Sequence, residues 1–399
     1  MRSRINSDDK TLKIFSKNEK IVKDKIKRIE NGLPRVKFDN YQISFNFEEK
    51  QNLMHQMEDY KVPGISIAII SNYEIEWVKS YGIKDVRKNE NVSIDTIFEA
   101  GSISKSLTAM AVLHFFEKGM LDLDEDINSI LKSWKLPENK FTKEKKVTLK
   151  HLLTHTSGIN LPDSMFSYKD NFIPTLEQVL NGESPALNDP VEVIFSPGTN
   201  HQYSNHGFLI IQKLLEDISG KKFPEIMREV VFEPLEMNNS TFNYPSVEIK
   251  NSLAIPHDYN GGPKETGLHP TALAQGGLLS TPLDLAKFTV ELMSGYQGKS
   301  NRVLSPTNVK MMLTSVVALD PSKFFGFTGQ GLGIFLIEKE ESLNFVNMGQ
   351  NLPGMNSVIK GNTLTGNGAV IMSNGRRGDV LNLEVNIAID QIYEDSFWD

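Results

Sequence analysis

The sequence predicts an α+β protein in which an antiparallel sheet is flanked by helices and a mostly helical part of the chain is inserted. Three observations lead to this prediction. Residues 64–82 have the pattern of a β-hairpin, strand-like runs return after residue 330, and the chain between them favours helices and loops. We therefore expect strands from both chain ends to join one sheet, with the helical middle packed as a second lobe.

The hairpin is preceded by two helix candidates. GISIAII, after Val62-Pro63-Gly64, is a β-branched run bounded by turn residues, which is typical of a buried strand. Asn72-Tyr73 supply a turn, and the alternating EIEWVKSYG that follows completes the hairpin. Upstream, the spacing of apolar residues predicts a short amphipathic helix over Ile21–Ile29 and a second helix over Phe47–Tyr60.

The remaining elements are predicted from apolar runs and turn residues. Leu107–Phe116 is apolar on more than one side, so this helix should be buried. Further helices are predicted over Phe208–Ile218, Pro282–Met293 and Val380–Tyr393. Strands are predicted in the runs 331–337, 343–348, 355–360 and 368–373.

These elements divide the chain into three parts. Residues 1–45 form a charged N-terminal extension. Residues 46–100 together with 295–399 form an α/β subdomain, whose sheet comes from both chain ends, and residues 101–294 form a mainly helical subdomain. We expect the active site to lie in the cleft between the two subdomains.

Composition narrows the classes of function. The chain has 399 residues, of which 39% are hydrophobic, enough for a sizeable core. The formal net charge is −7, so no nucleic-acid partner is expected. The sequence contains no run of 18 consecutive apolar residues, so no membrane-spanning helix is predicted. The chain has no cysteine, which rules out disulfides and a cysteine nucleophile.

The N-terminal sequence is relevant to the cellular compartment in which the protein works. Its first 20 residues carry charges but no apolar core of signal-peptide length. As written, the sequence predicts a cytoplasmic protein, or an extracytoplasmic one from which a signal has been removed. It leaves the oligomeric state open.

Ser102-Ile103-Ser104-Lys105, at the start of the buried helix, is the first candidate for chemistry. Residues three apart share one face of a helix, so the hydroxyl of Ser102 and the amine of Lys105 should face the same space. A partly desolvated lysine can lose its proton and activate a hydroxyl for acyl transfer. The alternative is a serine that only caps the helix, because the Ser-x-x-Lys pattern also begins at Ser7, Ser129, Ser219 and Ser357.

Two further elements stand downstream. Tyr203-Ser204-Asn205 follows a Pro/Gly loop and precedes a helix, where the tyrosine could share protons and Asn205 could hold a substrate amide or carbonyl. A capping asparagine beside a packed tyrosine is the alternative. Asn347-Met348-Gly349 ends a predicted strand, and a backbone N–H there, with that of Ser102, could form an oxyanion hole.

In this order, the three elements resemble the motifs of the serine β-lactamase and penicillin-binding-protein superfamily. The likeness is to its class C-type branch, which includes class C β-lactamases, D,D-peptidases and family VIII-type esterases. It extends over roughly residues 45–395 and includes the stretches VPGISIAII, TIFEAGSISKSLTAMAV, LLTHTSGI, FSPGTNHQYSN and GGLLSTPLDLAKF. The resemblance implies the β-lactamase/transpeptidase-like fold.

The resemblance also implies roles for individual residues. Ser102 would be the acyl-forming nucleophile, Lys105 its base and Tyr203 a second proton-transfer group. Asn205 would bind the acyl-side amide of the substrate, and the N–H groups of Ser102 and Gln350 would form the oxyanion hole. No metal or cofactor is implied.

The activity expected from these roles is that of a serine hydrolase. Its partner would be a small ester, amide, or β-lactam- or peptide-like substrate. The alternatives are a D,D-carboxypeptidase or true β-lactamase, and a non-catalytic penicillin-binding or sensing homologue.

The third motif departs from the family pattern. The family usually has Lys-Thr-Gly, His-x-Gly or a close variant where this chain has Asn347-Met348-Gly349. The glycine is kept, so a ligand can approach the strand, but the cation is lost. Tight recognition of a substrate carboxylate is therefore not expected at this motif. Arg376 and Arg377, in a later turn, could supply a substitute charge, although a solvated basic turn is the simpler interpretation.

Overall fold

The computed structural model describes residues 10–39, 42–161, 172–243, 246–339 and 342–394. The strands are β1 (Leu12–Ile14), β2 (Leu33–Asp39), β3 (Gln42–Gln51), β4 (Gly64–Ser71), β5 (Glu74–Asp85), β6 (Glu90–Asn91), β7 (Phe98–Glu99), β8 (Leu279–Ser280), β9 (Val317–Ala318), β10 (Gly329–Gln330), β11 (Phe335–Glu338), β12 (Leu343–Asn351), β13 (Met355–Asn362) and β14 (Gly368–Ser373). A 10-stranded antiparallel sheet has the order β1-β5-β4-β14-β13-β12-β11-β10-β9, with β6 beside β5.

Helices cover both faces of this sheet. They are α1 (Glu19–Glu30), α2 (Leu53–Asp59), α3 (Ile103–Glu117), α4 (Ile127–Ile130), α5 (Lys140–Glu144), α6 (Leu149–Leu153), α7 (Leu176–Asn181), α8 (Asn205–Ser219), α9 (Phe223–Met227), α10 (Val247–Ser252), α11 (Pro282–Tyr296), α12 (Pro306–Met312) and α13 (Gly378–Tyr393). A single π-helical turn, Arg228–Phe232, follows α9. Within the described ranges, no helix is long and apolar enough to cross a membrane.

The sheet separates two hydrophobic layers. One layer is formed by α1 and α13 against alternate residues of β4 and β14. The opposite layer joins α11 and the helical middle of the chain to the other face of the same strands. Because β4 is covered on both faces, every residue from Gly64 to Ile70 is buried. This explains why its sequence is apolar on both faces, apart from Ser66, rather than alternating.

The predicted hairpin and the C-terminal strands are confirmed. β4 and β5 pair across a turn at Asn72 and Tyr73, both of which have positive φ, as the type I′ turn of a two-residue hairpin requires. β14 then pairs with β4, and β12 pairs with β13, so strands from both chain ends share one sheet. The strand predicted over 331–337 starts only at Phe335, because Gly333 adopts a positive φ in a turn against α3.

The helix predicted over Phe47–Tyr60 is wrong in its first half. Strand β3 continues to Gln51, and α2 begins at Leu53. The residues ISFNFE alternate apolar and polar side chains with the period of a strand. Asn52 then starts the helix, since its side chain accepts hydrogen bonds from the N–H groups of Met54 and His55.

The described part of the N-terminal segment packs against the rest of the chain. β1 pairs with β5, and the buried residues Val22, Ile26 and Ile29 of α1 belong to the same hydrophobic layer as α13. Residues 1–9 and 40–41 lie outside the described residues. The division of the chain at residues 45, 100 and 294 stays a prediction.

Candidate active site

Ser102 directly precedes helix α3, and its hydroxyl does not cap that helix. The side chain makes no hydrogen bond to the N–H groups of the first turn. Its Oγ lies 2.9 Å from Nζ of Lys105 and 2.7 Å from the hydroxyl oxygen of Tyr203. The serine hydroxyl therefore contacts an amine and a phenol, both of which can exchange protons, instead of capping the helix.

Lys105 lies one helical turn after Ser102 and is almost completely buried. Its Nζ donates a 2.5 Å hydrogen bond to the carbonyl of Gln275 and lies 4.9 Å from the centre of the Tyr203 ring and 5.6 Å from that of Phe208. Burial holds the pKa of this amine well below its ordinary value. No carboxylate pairs with it among the described residues, so the neutral amine, which can act as a base, is favoured.

Tyr203 is positioned by the loop that leads into α8. Its ring lies 4.3 Å from the ring of His155, centre to centre. Burial raises the pKa of the Tyr203 phenol, which therefore stays protonated. The Nδ1 atom of His155 accepts a hydrogen bond from the N–H of Ser204, which fixes the imidazole beside the tyrosine.

Ser204, and not Asn205, caps helix α8. The Ser204 hydroxyl accepts a hydrogen bond from the N–H of Gly207. Asn205 is the first residue of the helix, and its Oδ1 atom is buried without a hydrogen-bond partner among the described residues. Leaving a buried acceptor unpaired is costly, so this oxygen is a candidate contact for a ligand donor.

Strand β12 approaches Ser102 closely, and two glycines permit it. A Cβ on Gly349 would lie 1.9 Å from the carbonyl oxygen of Ala100, and a Cβ on Gly101 would lie 2.6 Å from the backbone nitrogen of Gln350. Gly101 also has a φ of +52°, which favours glycine. The backbone of Gln350 is thus brought against the segment that carries Ser102, whose own N–H is one of those that a helix start leaves unpaired.

Asn347 is close to Ser102, but its amide group bonds to helix α3. Its Nδ2 donates to the hydroxyl of Ser106 at 2.7 Å and to the carbonyl of Ser102 at 3.3 Å, while its Oδ1 accepts from the N–H of Met348. Asn347 therefore ties β12 to the first turn of the helix.

Sequence reasoning missed a buried carboxyl group beside the site. Glu99 accepts hydrogen bonds from the hydroxyl of Thr266 and from Asn351, next to Gln350. Burial raises the pKa of Glu99 to about 7. A glutamate in the otherwise apolar run IFEAG was the available signal.

His151 and His155 are four residues apart, a spacing that can suit a metal ion, but each ring accepts a hydrogen bond from the backbone. Nδ1 of His151 accepts from the N–H of Thr148 at the start of α6, and Nδ1 of His155 accepts from Ser204. In the part of the chain that the structure describes, no group of three or more histidine, aspartate or glutamate side chains is arranged to hold a metal ion.

Residues 50–394 match the Beta-lactamase family. The chain belongs to the β-lactamase family. The resemblance noted from the sequence motifs is thereby confirmed. In this chain the third motif is the uncharged Asn347-Met348-Gly349, and the side chain of Asn347 donates a hydrogen bond to Ser106 of α3.

Curated relatives of this β-lactamase-family chain include bacterial and fungal proteins. Protein flp of Staphylococcus aureus (strain MW2) is 26% identical over 213 residues, which is 52% of this chain and 40% of flp. The unguisins hydrolase ungD' of Aspergillus campestris is 25% identical over 295 residues, 66% of this chain and 52% of that protein. The chain thus spans about half or less of the length of these relatives.

Solved structures confirm the β-lactamase/transpeptidase-like fold. The octameric penicillin-binding protein homologue from Pyrococcus abyssi superposes with a TM-score of 0.68 at 26% identity, over 86% of this chain and 79% of that one. The penicillin-binding protein from Bacillus halodurans gives 0.67 at 23% identity, over 86% and 100% of the two chains. The D-alanine carboxypeptidase AmpC from Burkholderia cenocepacia gives 0.66 at 20% identity, over 84% and 95%.

Proposed function

We propose that this protein is a serine hydrolase that forms an acyl-enzyme on Ser102 and acts on a small ester, amide, or β-lactam- or peptide-like substrate. One observation carries the proposal. The hydroxyl of Ser102 is not used as a helix cap and lies within hydrogen-bonding distance of both the buried amine of Lys105 and the phenol of Tyr203. An oriented base beside a serine hydroxyl is the arrangement needed for acyl transfer.

Acylation begins with the neutral Lys105. Its amine takes the proton of Ser102 as Oγ forms a bond to the substrate carbonyl carbon. The carbonyl oxygen becomes an oxyanion, which the N–H groups of Ser102 and Gln350 stabilise. When the bond to the leaving group breaks, Tyr203 relays a proton from the Lys105 ammonium to the departing alcohol or amine, so both side chains return to their starting states.

Deacylation uses Lys105 and Tyr203 again, this time to accept a proton from water and to return one to Ser102. A water molecule gives a proton to the Lys105–Tyr203 pair and attacks the ester carbonyl. The acid product departs, and Ser102 Oγ regains a proton from the pair. Asn205 would hold the acyl side of the substrate, because its buried Oδ1 has no partner in the described structure and can accept from a substrate N–H.

A dedicated β-lactamase or D,D-carboxypeptidase is less well supported. Recognition of the carboxylate of such substrates at the third motif would need a cation, and Asn347 is neutral and bonded to Ser106. A non-catalytic sensing homologue is less well supported too, because Ser102, Lys105 and Tyr203 are all present and close together. The fungal relative named as a hydrolase of unguisins supports hydrolysis as the class of reaction.

The test is covalent labelling. The protein and its Ser102→Ala variant are treated with a fluorescent fluorophosphonate and a fluorescent penicillin, and the modified peptide is identified by mass spectrometry. We expect the fluorophosphonate to label Ser102 and p-nitrophenyl esters to be turned over. Absence of labelling by both probes would refute the nucleophile assignment. Stable penicillin labelling without turnover of any ester or nitrocefin would instead indicate a sensing protein.

A further inference from the structure

His155 directly contacts the tyrosine of the candidate site, yet the proposed mechanism gives it no role. It lies in the stretch LLTHTSGI, in the turn that follows helix α6, and is only 3% exposed. Its ring centre lies 4.3 Å from that of Tyr203, and the two ring planes are 33° apart. A polar side chain that is buried this deeply needs hydrogen bonds, and those of His155 lead back to the tyrosine.

Two hydrogen bonds to His155 flank Tyr203 in the chain. The N–H of Gln202 donates to the backbone carbonyl of His155 at 2.8 Å. The N–H of Ser204 donates to Nδ1 of the His155 ring at 3.2 Å. The residues before and after the tyrosine are thus both tied to one histidine, whose ring also packs against the tyrosine ring.

These contacts determine where the Tyr203 hydroxyl lies. The ring of Phe208, from helix α8, packs against the other residue of the pair, with 5.6 Å between its centre and that of His155. The hydroxyl of Tyr203 is then 2.7 Å from Oγ of Ser102. Proton transfer depends steeply on such a distance, and a displacement of about 1 Å can cost on the order of 10²-fold in rate.

The backbone of His155 has an uncommon conformation. Its φ is +56°, in the left-handed region that residues other than glycine, asparagine, aspartate and histidine seldom adopt. Conformations of this kind persist where the surrounding contacts fix them, and they are frequent at active sites. The residue type is therefore restricted twice, by the backbone conformation and by the need for a hydrogen-bond acceptor at the position of Nδ1.

The hydrogen bond from Ser204 requires a neutral imidazole. A ring that accepts at Nδ1 carries its proton on Nε2, and an imidazolium has no acceptor at all. Burial holds the pKa of His155 well below 6.5, and the positive charges of Lys105 and His201, when they are present, lower it further. The acceptor is therefore retained at neutral pH, also when Lys105 becomes an ammonium during acylation.

We propose that His155 is a positioning residue that holds the Tyr203 hydroxyl in place for proton transfer to the leaving group. This inference rests on the proposed function, in which Tyr203 gives its proton to the departing alcohol and recovers one from the Lys105 ammonium. The oxygen of an alkyl ester needs that proton as its bond to the carbonyl carbon breaks, whereas p-nitrophenolate can leave as a stable anion. A displaced tyrosine should therefore slow hydrolysis of an alkyl ester more than that of a p-nitrophenyl ester.

The test compares kcat/KM for the ethyl and p-nitrophenyl esters of one acid. The ratio of the two values does not depend on the fraction of enzyme that is folded, so a purely structural defect leaves it unchanged. We expect His155→Leu to lower the ethyl to p-nitrophenyl ratio by about tenfold or more. If His155→Leu does not fold, His155→Gln takes its place, because its amide lies one bond further out than Nδ1.

Two further variants serve as rescue and control. Asparagine has nearly the shape of leucine, but it tolerates the left-handed φ and keeps an acceptor at the position of Nδ1, so His155→Asn should regain most of the wild-type ratio. His151→Leu removes the same kind of acceptor, the Nδ1 that binds the N–H of Thr148, and should leave the ratio unchanged.

A double variant shows whether His155 acts through the tyrosine. Tyr203→Phe alone should lower the ratio, and adding His155→Leu to it should lower the ratio by no more than about a further twofold. An unchanged ratio in His155→Leu, or an equal additional fall in the Tyr203→Phe background, overturns the positioning role and leaves Ser102 as the nucleophile. If wild type hydrolyses neither ester and is not labelled at Ser102 by the fluorophosphonate, the proposed function fails, and the role of His155 fails with it.

Discussion

Glu99 accepts a hydrogen bond from Asn351 across the junction between the Ser102 segment and the end of strand β12, with 3.0 Å between Nδ2 and Oε2. Asn351 also donates to the carbonyl of Gly276, the residue after the one whose carbonyl accepts from Lys105. One buried carboxyl group therefore links the segment that carries Ser102, the end of strand β12 and the loop whose Gln275 carbonyl accepts from Lys105.

The variant Glu99→Gln tests how this carboxyl group affects stability. Burial raises its pKa from 4.5 to about 7, so the folded protein binds this proton more tightly than the unfolded chain. Its stabilisation is complete below pH 4.5 and is lost as pH rises through 7. We expect Glu99→Gln to match wild type near pH 4 and to be more stable above pH 8, by up to about 3 kcal/mol. Urea unfolding at both pH values measures this, with the exposed Glu125→Gln as control; a difference independent of pH would contradict it.

The fold was predictable where its signals are local. The hairpin at 64–82 and helix α3 follow from apolar periodicity and turn residues within about 20 positions. The neighbours of β14 are β4 and β13, and its pairing with β4 joins residues about 300 positions apart, which no local pattern encodes. The order of strand-like and helix-like segments predicted that both chain ends share one sheet, but it did not predict which strands are neighbours. The strand at 42–51 was missed because its alternation of apolar and polar residues runs directly into the helix that follows it.

The candidate site was predictable where the type and spacing of residues alone indicate a possible reaction. Ser102 and Lys105 are three apart on one helix, and Tyr203 was indicated by its motif. Glu99 and Gln275 were not indicated, because they act through a buried hydrogen bond and a backbone carbonyl. The contact of Asn347 with Ser106 depends on how strand β12 crosses the helix, which the sequence does not encode locally.

Replacement of Lys105 by arginine tests the base. Arginine is long and basic like lysine, but it stays cationic and cannot give up its proton at accessible pH. We expect Lys105→Arg to slow fluorophosphonate labelling of Ser102 by about 10²–10⁴-fold. In wild type, labelling should already be complete at neutral pH, since burial lowers the pKa of Lys105. The exposed Lys132→Arg is the control, and wild-type labelling that appears only near pH 10 would argue against a neutral amine.

The variant Tyr203→Phe removes one hydroxyl and keeps the ring against His155. Loss of the 2.7 Å contact with Ser102 should reduce ester turnover by about 10²-fold or more, while the melting temperature changes little. Tyr296→Phe on α11 is the matched control. Equal loss of turnover in the two variants would remove Tyr203 from the proton-transfer path.

The variant Gly349→Ala tests the close approach of β12 to the Ser102 segment. Its methyl group would lie 1.9 Å from the carbonyl of Ala100, so the strand must move. We expect the free energy of unfolding to fall by roughly 2 kcal/mol or more, and labelling of Ser102 to slow with it. Gly207→Ala in α8 is the control, because the nearest atom to its new methyl group is 3.5 Å away. Similar stabilities for the two variants would show that the contact is not tight.

The variant Asn347→Lys restores a cation to the third motif at the cost of a structural contact. Lysine removes the amide that donates to Ser106, so the free energy of unfolding should fall by about 1–3 kcal/mol. The added charge should raise the ratio of two Ser102 labelling rates, that of a fluorophosphonate ending in a carboxylate to that of its methyl ester, because a charged hydrogen bond to the carboxylate becomes available at the third motif. Asn347→Ala separates the two effects, since it loses the contact with Ser106 without adding charge. If Asn347→Lys and Asn347→Ala give the same probe ratio, the third motif does not face the substrate's anionic group.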